Sequence, residues 1–145
     1  MTRARTASTV AAAFVVSQIL AIAVHGFILA GDYGPFYGTL LRSQQEAPWR
    51  MLLLPLSHLA FISALVWVFT HVRLEGSSFA RGLQIGALGW MMGQVPLWLL
   101  WYAEQPWPGD LVVKQLVLEL LSSLVIGVTI AVVGTPYSSR STVAG

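Results

Sequence analysis

The chain has 145 residues, of which 56% are hydrophobic and 10% are charged, and its net charge is +2. This composition excludes an ordinary soluble domain, and the scattered charges exclude the basic surface of a nucleic-acid-binding protein. The absence of cysteine excludes disulfides, thiolate metal sites and cysteine nucleophiles. We therefore expect an all-α membrane protein, surrounded by the lipid bilayer and without a nucleic-acid partner, that forms a single four-helix domain over residues 1–145.

The first apolar run covers residues 10–31, follows two arginines, and is long enough for a spanning helix of about 20 residues. Its strongest polar interruptions are Gln18 and His25. A basic start, an apolar run and Ala21-Ile22-Ala23 also fit a signal peptide with a small-residue cleavage site. The run continues well past that site, which favours a retained first helix.

The longest connector follows, from Gly31 to Trp49, and Gly, Asp and Pro at its start indicate a turn. Some of its apolar residues have helical spacing, which fits a short piece in the membrane interface or over the mouth of the bundle. These residues are Phe36, Tyr37, Leu40 and Leu41. We favour the simpler interpretation, a loop anchored by aromatic side chains.

The second predicted span covers residues 51–72 and has a proline, Pro55, near its start, where a missing N–H costs least. It contains His58 and His71. We expect His71, at the end of the helix, to meet backbone carbonyls there rather than to act as a ligand.

The third predicted span, residues 82–102, is uncharged and contains Gln94 and Pro96. Its glycines are spaced four, three and four residues apart, so they lie along one face and allow another helix to approach closely. These glycines are Gly82, Gly86, Gly89 and Gly93. We expect this groove to receive another helix of the same chain rather than a second protein.

The fourth predicted span, residues 111–133, contains the acid around which the chain is organised, Glu119. A lone acid in a membrane costs about 3 kcal/mol, so it has to face protein, find a partner or take up a proton. Polar residues three and four positions apart share its face, which predicts that this face points inward. They are Gln115, Ser122 and Ser123. Residues 134–145 are predicted to form a flexible tail.

Short loops and an even number of spans predict an antiparallel up-down bundle. Five basic residues fall at one end and three at the other, which places both termini in the cytoplasm of a bacterial cell, with the protein in its inner membrane. The inner group is Arg3, Arg5, Arg73, Arg81 and Arg140, and the outer group is Arg42, Arg50 and Lys114.

With a rise of about 1.5 Å per residue, four polar residues from four helices share one depth in the outer half of such a bundle. They are His25, His58, Gln94 and Glu119. Together with Gln115 and Ser122 they are our candidates for binding a ligand or a proton around one cavity. A second interpretation is that these groups only satisfy one another as buried polar contacts between helices.

Three functions fit this pattern, and none of them requires a catalytic residue. The first is an accessory or small-ligand-binding bundle, working as a homo-oligomer or within a larger membrane complex. The second is a proton-coupled transporter that uses Glu119, and the third is a redox subunit in which His25 and His58 hold haem, or in which the cluster holds a metal ion.

In size and number of spans the chain resembles the small multidrug transporters, which carry their membrane carboxylate in the first helix. Here the first helix offers His25 in place of a carboxylate, so the resemblance is confined to layout and implies no site residues.

Overall fold

The computed structural model of the protein describes residues 1–42 and 48–135. Four continuous helical segments are long and apolar enough to cross a membrane, and no strand occurs in the described ranges. They are α1 (Arg3–Ile28), α2 (Trp49–His71), α3 (Ser78–Glu104) and α4 (Gly109–Gly134). The all-helical fold with four candidate spans is confirmed. The predicted tail beyond residue 135 and part of the first connector, 43–47, lie outside the described residues.

Helices α1 and α3 begin ahead of the predicted apolar runs, and a side-chain hydrogen bond caps the start of each. The Thr2 hydroxyl accepts the Arg5 N–H at 3.3 Å, so α1 begins ahead of the apolar run. Ser77 accepts the Ala80 N–H at 3.2 Å and starts α3 in the same way. Such caps provide hydrogen-bond acceptors for N–H groups in the first turn, which have no partner within the helix.

The C-terminal end of α1 is irregular. Its α-helical part, Arg3–Ala21, continues as a π-helical segment, Ile22–Ile28, and is followed by one helical turn, Ala30–Tyr33. A 3-10 turn, Gly34–Phe36, leads into a loop rather than an interfacial helix, as we favoured from the sequence. Three apolar side chains of this region pack against the core near Tyr33 and Trp107, namely Phe36, Leu40 and Leu41.

Prolines coincide with irregular turns in α2 and α3. Helix α2 opens with a 3-10 segment, Pro48–Leu52, and Pro55 lies in the first turn of the α-helix that follows, where no intrahelical N–H is needed. In α3 a π-helical segment, Trp90–Gln94, directly precedes Pro96. Because proline has no N–H to donate to a carbonyl of the preceding turn, the helix is irregular beside it, and here the irregularity is a wide turn.

The core consists of two apolar clusters. The first cluster is formed by Ala13, Ile62, Leu65, Val66, Ile85, Ile126 and Ile130. The second cluster is formed by Val24, Leu29, Tyr33, Trp98, Trp107, Leu111 and Val112. Along α4 the polar residues of the inward face fall between these two clusters, whereas on α1 Ser17 and Gln18 lie between them and His25 falls among members of the second cluster.

Helices α3 and α4 form the most extensive contact, and glycines make it possible. A Cβ atom at Gly82 would lie 2.5 Å from Val128 Cα, and one at Gly86 would overlap the Ser123 carbonyl oxygen. The prediction that the glycine face receives a helix of the same chain is confirmed. The face divides between two partners, however, because Gly93 and its neighbour Gly89 lie against side chains of α2.

Candidate functional site

Glu119 lies near the middle of α4, and its polar face points inward as the spacing predicts. Gln115 is 1% exposed, Ser122 and Ser123 are buried, and the Glu119 side chain is 17% exposed. Residues three and four positions apart along a helix share a face, so the burial of the serines brings the carboxylate inward with them.

His25 is the direct partner of this carboxylate. Its Nε2 lies 3.1 Å from Glu119 Oε1, and the side chain is 39% exposed. His25 belongs to the π-helical end of α1, where the Leu29 N–H donates to the Val24 carbonyl five residues back. The wide turns of such a segment are frequent at functional sites because they reorient side chains relative to a regular helix.

Tyr33, which is not among the candidates from the sequence, completes the site. Its hydroxyl lies 3.2 Å from His25 Nδ1 and donates to Gln115 Oε1 at 2.6 Å. Gln115 Nε2 then donates to Glu119 Oε1 at 3.2 Å. Four side chains therefore form a closed cycle of four hydrogen-bonding contacts, which we call the Glu119 ring: His25, Tyr33, Gln115 and Glu119.

The sequence held one signal for Tyr33. It follows His25 by eight residues, which is about two turns of a helix with wide turns, and the two rings stack with a 6.0 Å separation of their centroids. Burial raises the pKa of the Tyr33 phenol, and the nearby acid Glu119 raises it further. Tyr33 therefore remains a hydrogen-bond donor at neutral pH.

His58 lies beside the Glu119 ring without belonging to it. Its Nδ1 is 3.0 Å from Gln18 Nε2, and it interacts electrostatically with both Glu119 and His25. Gln18 therefore holds the Nδ1 edge of the His58 ring. The structure brings His25, His58 and Glu119 into one neighbourhood on three helices.

Gln94 and Ser122 have no bond to the ring. Gln94 is half-buried in the π-helical segment of α3, and neither residue makes a side-chain hydrogen bond within the described ranges. Equal depth along the bundle leaves open which way around its helix a side chain points, so the depth argument did not extend to Gln94.

Two cavities of the described residues are lined by none of the candidate site residues, so neither is the predicted shared cavity. The first is lined at the opposite end of the bundle by Met1, Phe69, Thr70, Val72, Leu74, Arg81, Gly134 and Thr135. The second is lined by the loop residues Gly38, Thr39, Leu40, Leu41 and Arg42.

His71 lies apart from this cluster. Its Nδ1 is 2.8 Å from the Trp67 carbonyl oxygen and 2.9 Å from the Thr70 hydroxyl. This is the contact with a helix-end carbonyl that the sequence predicts.

The arrangement does not fit the haem site considered from the sequence. Ligation of haem iron uses an imidazole nitrogen, and both nitrogens of His25 face other partners in the Glu119 ring. Within residues 1–42 and 48–135, no three His, Asp or Glu side chains are grouped so that they can hold a metal ion.

No protein family, curated protein or solved structure matches this chain. What the site does therefore has to follow from its own chemistry, a carboxylate and an imidazole joined through a tyrosine and an amide.

Proposed function

We propose that the four helices cross the inner membrane of a bacterium in alternating directions, with both termini in the cytoplasm. The register of α3 on α4 supports this arrangement, because Gly82 faces Val128 whereas Gly86, one turn later, faces Leu124. The end of the bundle that carries both termini and the α2–α3 connector has the excess of basic residues, which supports the cytoplasmic orientation of that end. The ion pair between Lys114 and Asp32, at 3.1 Å, joins two residues assigned to the outer end.

In this arrangement Glu119 lies at hydrocarbon depth. It follows Gly109, the first residue of α4, by ten residues, which is roughly 15 Å along the helix and half of a bilayer core of about 30 Å. A carboxylate at that depth has to be paired or protonated. The Glu119 ring supplies both a hydrogen-bond donor, Gln115, and a basic partner, His25.

The bundle binds a small amphiphile whose polar head group contacts the imidazoles beside Glu119, and it acts as an accessory protein rather than as an enzyme. The observation that carries this proposal is incomplete cover. His58 is only half-buried, and its Nε2 has no hydrogen-bond partner among the described residues, although hydrocarbon offers none either. The His25 side chain beside it is 39% exposed.

The side of the bundle near His58 is open to such a molecule. The outer part of α2 exposes leucines, with Leu53 at 51% and Leu56 at 59%, whereas its buried residues, such as Ile62 and Val66, lie further along the helix. A molecule dissolved in the bilayer can therefore reach His58 laterally and provide a hydrogen-bond partner for its Nε2, so no preformed internal cavity is needed.

Binding of three probes with equal alkyl chains tests this proposal: a fatty acid, an alkylamine and an alkyl amide, added to the protein in lipid nanodiscs. We expect one head-group class to bind and His58→Phe to weaken that binding by about tenfold, as for the loss of one hydrogen bond. His71→Phe is the matched control, because it changes the same residue type outside the cluster. Equal binding of all three probes, or equal binding by both variants, contradicts the proposal.

A second candidate is proton-coupled transport, which is favoured by a carboxylate and an imidazole in direct contact at 3.1 Å. Proteoliposomes with an internal pH-sensitive dye measure it, using whichever probe binds. Substrate-dependent proton movement that disappears in Glu119→Gln supports transport. Movement that persists unchanged in this variant rules out Glu119 as the carrier, and binding without any proton movement leaves the accessory function.

A further inference from the structure

The closed geometry of the Glu119 ring constrains how many protons it holds. Each of its four contacts is a hydrogen bond only if one proton lies between the two heavy atoms. Tyr33 supplies one proton, and the Gln115 amide supplies one to the ring at a time. The other two have to come from the His25 imidazole and the Glu119 carboxyl group.

With Gln115 oriented as its bonds indicate, Tyr33 donates its only proton to Gln115 Oε1. The Tyr33 oxygen then has to accept from His25 Nδ1, so this nitrogen is protonated. The 3.1 Å contact of His25 Nε2 with Glu119 needs a further proton. It lies on Nε2, as an imidazolium facing a carboxylate, or on Glu119, as a carboxylic acid facing a neutral imidazole.

A flipped amide gives the same count, which matters because amide orientation is assigned rather than observed. Gln115 would then donate to Tyr33, Tyr33 to His25 Nδ1, and His25 Nε2 to Glu119. The Gln115 oxygen would face the Glu119 oxygen at the 3.2 Å contact, and two acceptors would repel unless Glu119 carried a proton.

We propose that the Glu119 ring is a one-proton binding site that closes only when the His25 and Glu119 pair carries one proton more than a carboxylate and a neutral imidazole. Release of that proton to water leaves His25 and Glu119 together with one negative charge. At one contact of the ring, two hydrogen-bond acceptors then face each other without a proton between them. Three protons remain for four contacts, so the ring opens at one of them and the link between the end of α1 and α4 is weakened. This site does not depend on which ligand, if any, covers the imidazoles.

The surroundings add few competing charges. Helix α2 contributes His58, and the ion pair of Asp32 with Lys114 at the outer end is neutral as a whole. Helix α3 has no titratable side chain between Gly82 and Trp101 and contributes the Trp90 indole, which donates to the Leu116 carbonyl at 2.9 Å.

The test reads the protonation of both partners in the full chain in nanodiscs at neutral pH. Nitrogen-15 NMR of labelled histidine, assigned with His58→Gln and His71→Gln, shows whether His25 is an imidazolium or neutral. Infrared difference spectra against Glu119→Gln show whether Glu119 is ionised. We expect imidazolium with carboxylate, or neutral imidazole with carboxylic acid. An ionised Glu119 together with a neutral His25 overturns the proposal.

Tyr33→Phe tests the role of ring closure. Without the phenol, His25 Nε2 and Gln115 can both donate to an ionised Glu119 and no acceptors collide, so the proton-poor state should be roughly tenfold more populated than in the wild type. Tyr37→Phe, which alters an exposed tyrosine four residues away, should match the wild type. Gln115→Leu opens the ring from the other side and should repeat the effect of Tyr33→Phe. If both ring variants keep the wild-type populations, closure does not hold the proton.

Discussion

Among the described glycines, Gly127 of α4 leaves the least room for a side chain, because it lies against the backbone of α3, and this allows a quantitative prediction for Gly127→Ala. A methyl group there would overlap the Gly82 carbonyl oxygen and the backbone of Gly86. Backbone atoms cannot rotate away, so the two helices have to separate. Overpacking of this kind costs about 1–3 kcal/mol.

Gly26→Ala is the matched control, since it makes the same change within a span where the nearest atom to the new methyl group is Ile22 Cγ2, at 3.8 Å. Both variants gain about 1 kcal/mol of helix propensity, which cancels in their comparison. We therefore expect Gly127→Ala to be less stable than Gly26→Ala by about 1–3 kcal/mol.

Reversible unfolding in mixed micelles, followed by circular dichroism, measures both free energies of unfolding. Combining Gly127→Ala with Gly82→Ala should cost less than the sum of the single changes, because one separation of the helices accommodates both methyl groups. Equal stability of Gly127→Ala and Gly26→Ala would refute the close backbone contact.

Three further predictions follow from the outer end of the bundle and its connectors. Because burial raises the pKa of Tyr33, the unfolded chain loses this phenol proton at a lower pH than the folded chain, and stability should fall as the pH rises above about 10. When unfolding midpoints are measured against pH, this fall in stability should be absent in Tyr33→Phe and present in Tyr37→Phe. Lys114→Gln should cost less than about 1 kcal/mol in the same assay, since its ion pair is solvent-exposed, and a larger loss would indicate a buried pair. In this cysteine-free chain, Ser77→Cys should react with an impermeant thiol reagent only from the cytoplasmic side and Thr39→Cys only from the other, and the reverse pattern would overturn the proposed orientation.

Hydropathy and spacing were sufficient for the four helices and for the inward face of α4. A 20-residue apolar run has few alternatives to a spanning helix, and residues at three and four positions necessarily share a face. The same arithmetic made His25 a candidate partner of Glu119, because the two lie at equal depth. These are properties that a regular helix determines by itself.

Tyr33 and Gln94 show where such reasoning stops. Tyr33 entered the ring because a π-helical segment and a helical turn bring it back over His25, and no pattern in the sequence marks a π-helical segment. Gln94 was placed at the right depth, but its direction around α3 depends on another irregular segment. Both deviations arise where helices change their winding, which propensity and hydropathy do not describe.

The π-helical segment Ile22–Ile28 has one more consequence, for the phase of α1. Its bonds enclose one residue more than those of an α-helix, so everything beyond it is rotated by about 100° relative to a regular continuation. Gln18, before the segment, meets α2 through His58, whereas Asp32, beyond it, meets α4 through Lys114. Gln18 and Asp32 would lie on nearly the same side of a regular helix, yet they meet two different neighbours here. A one-residue deletion in this segment would restore the regular phase and turn Tyr33 away from Gln115.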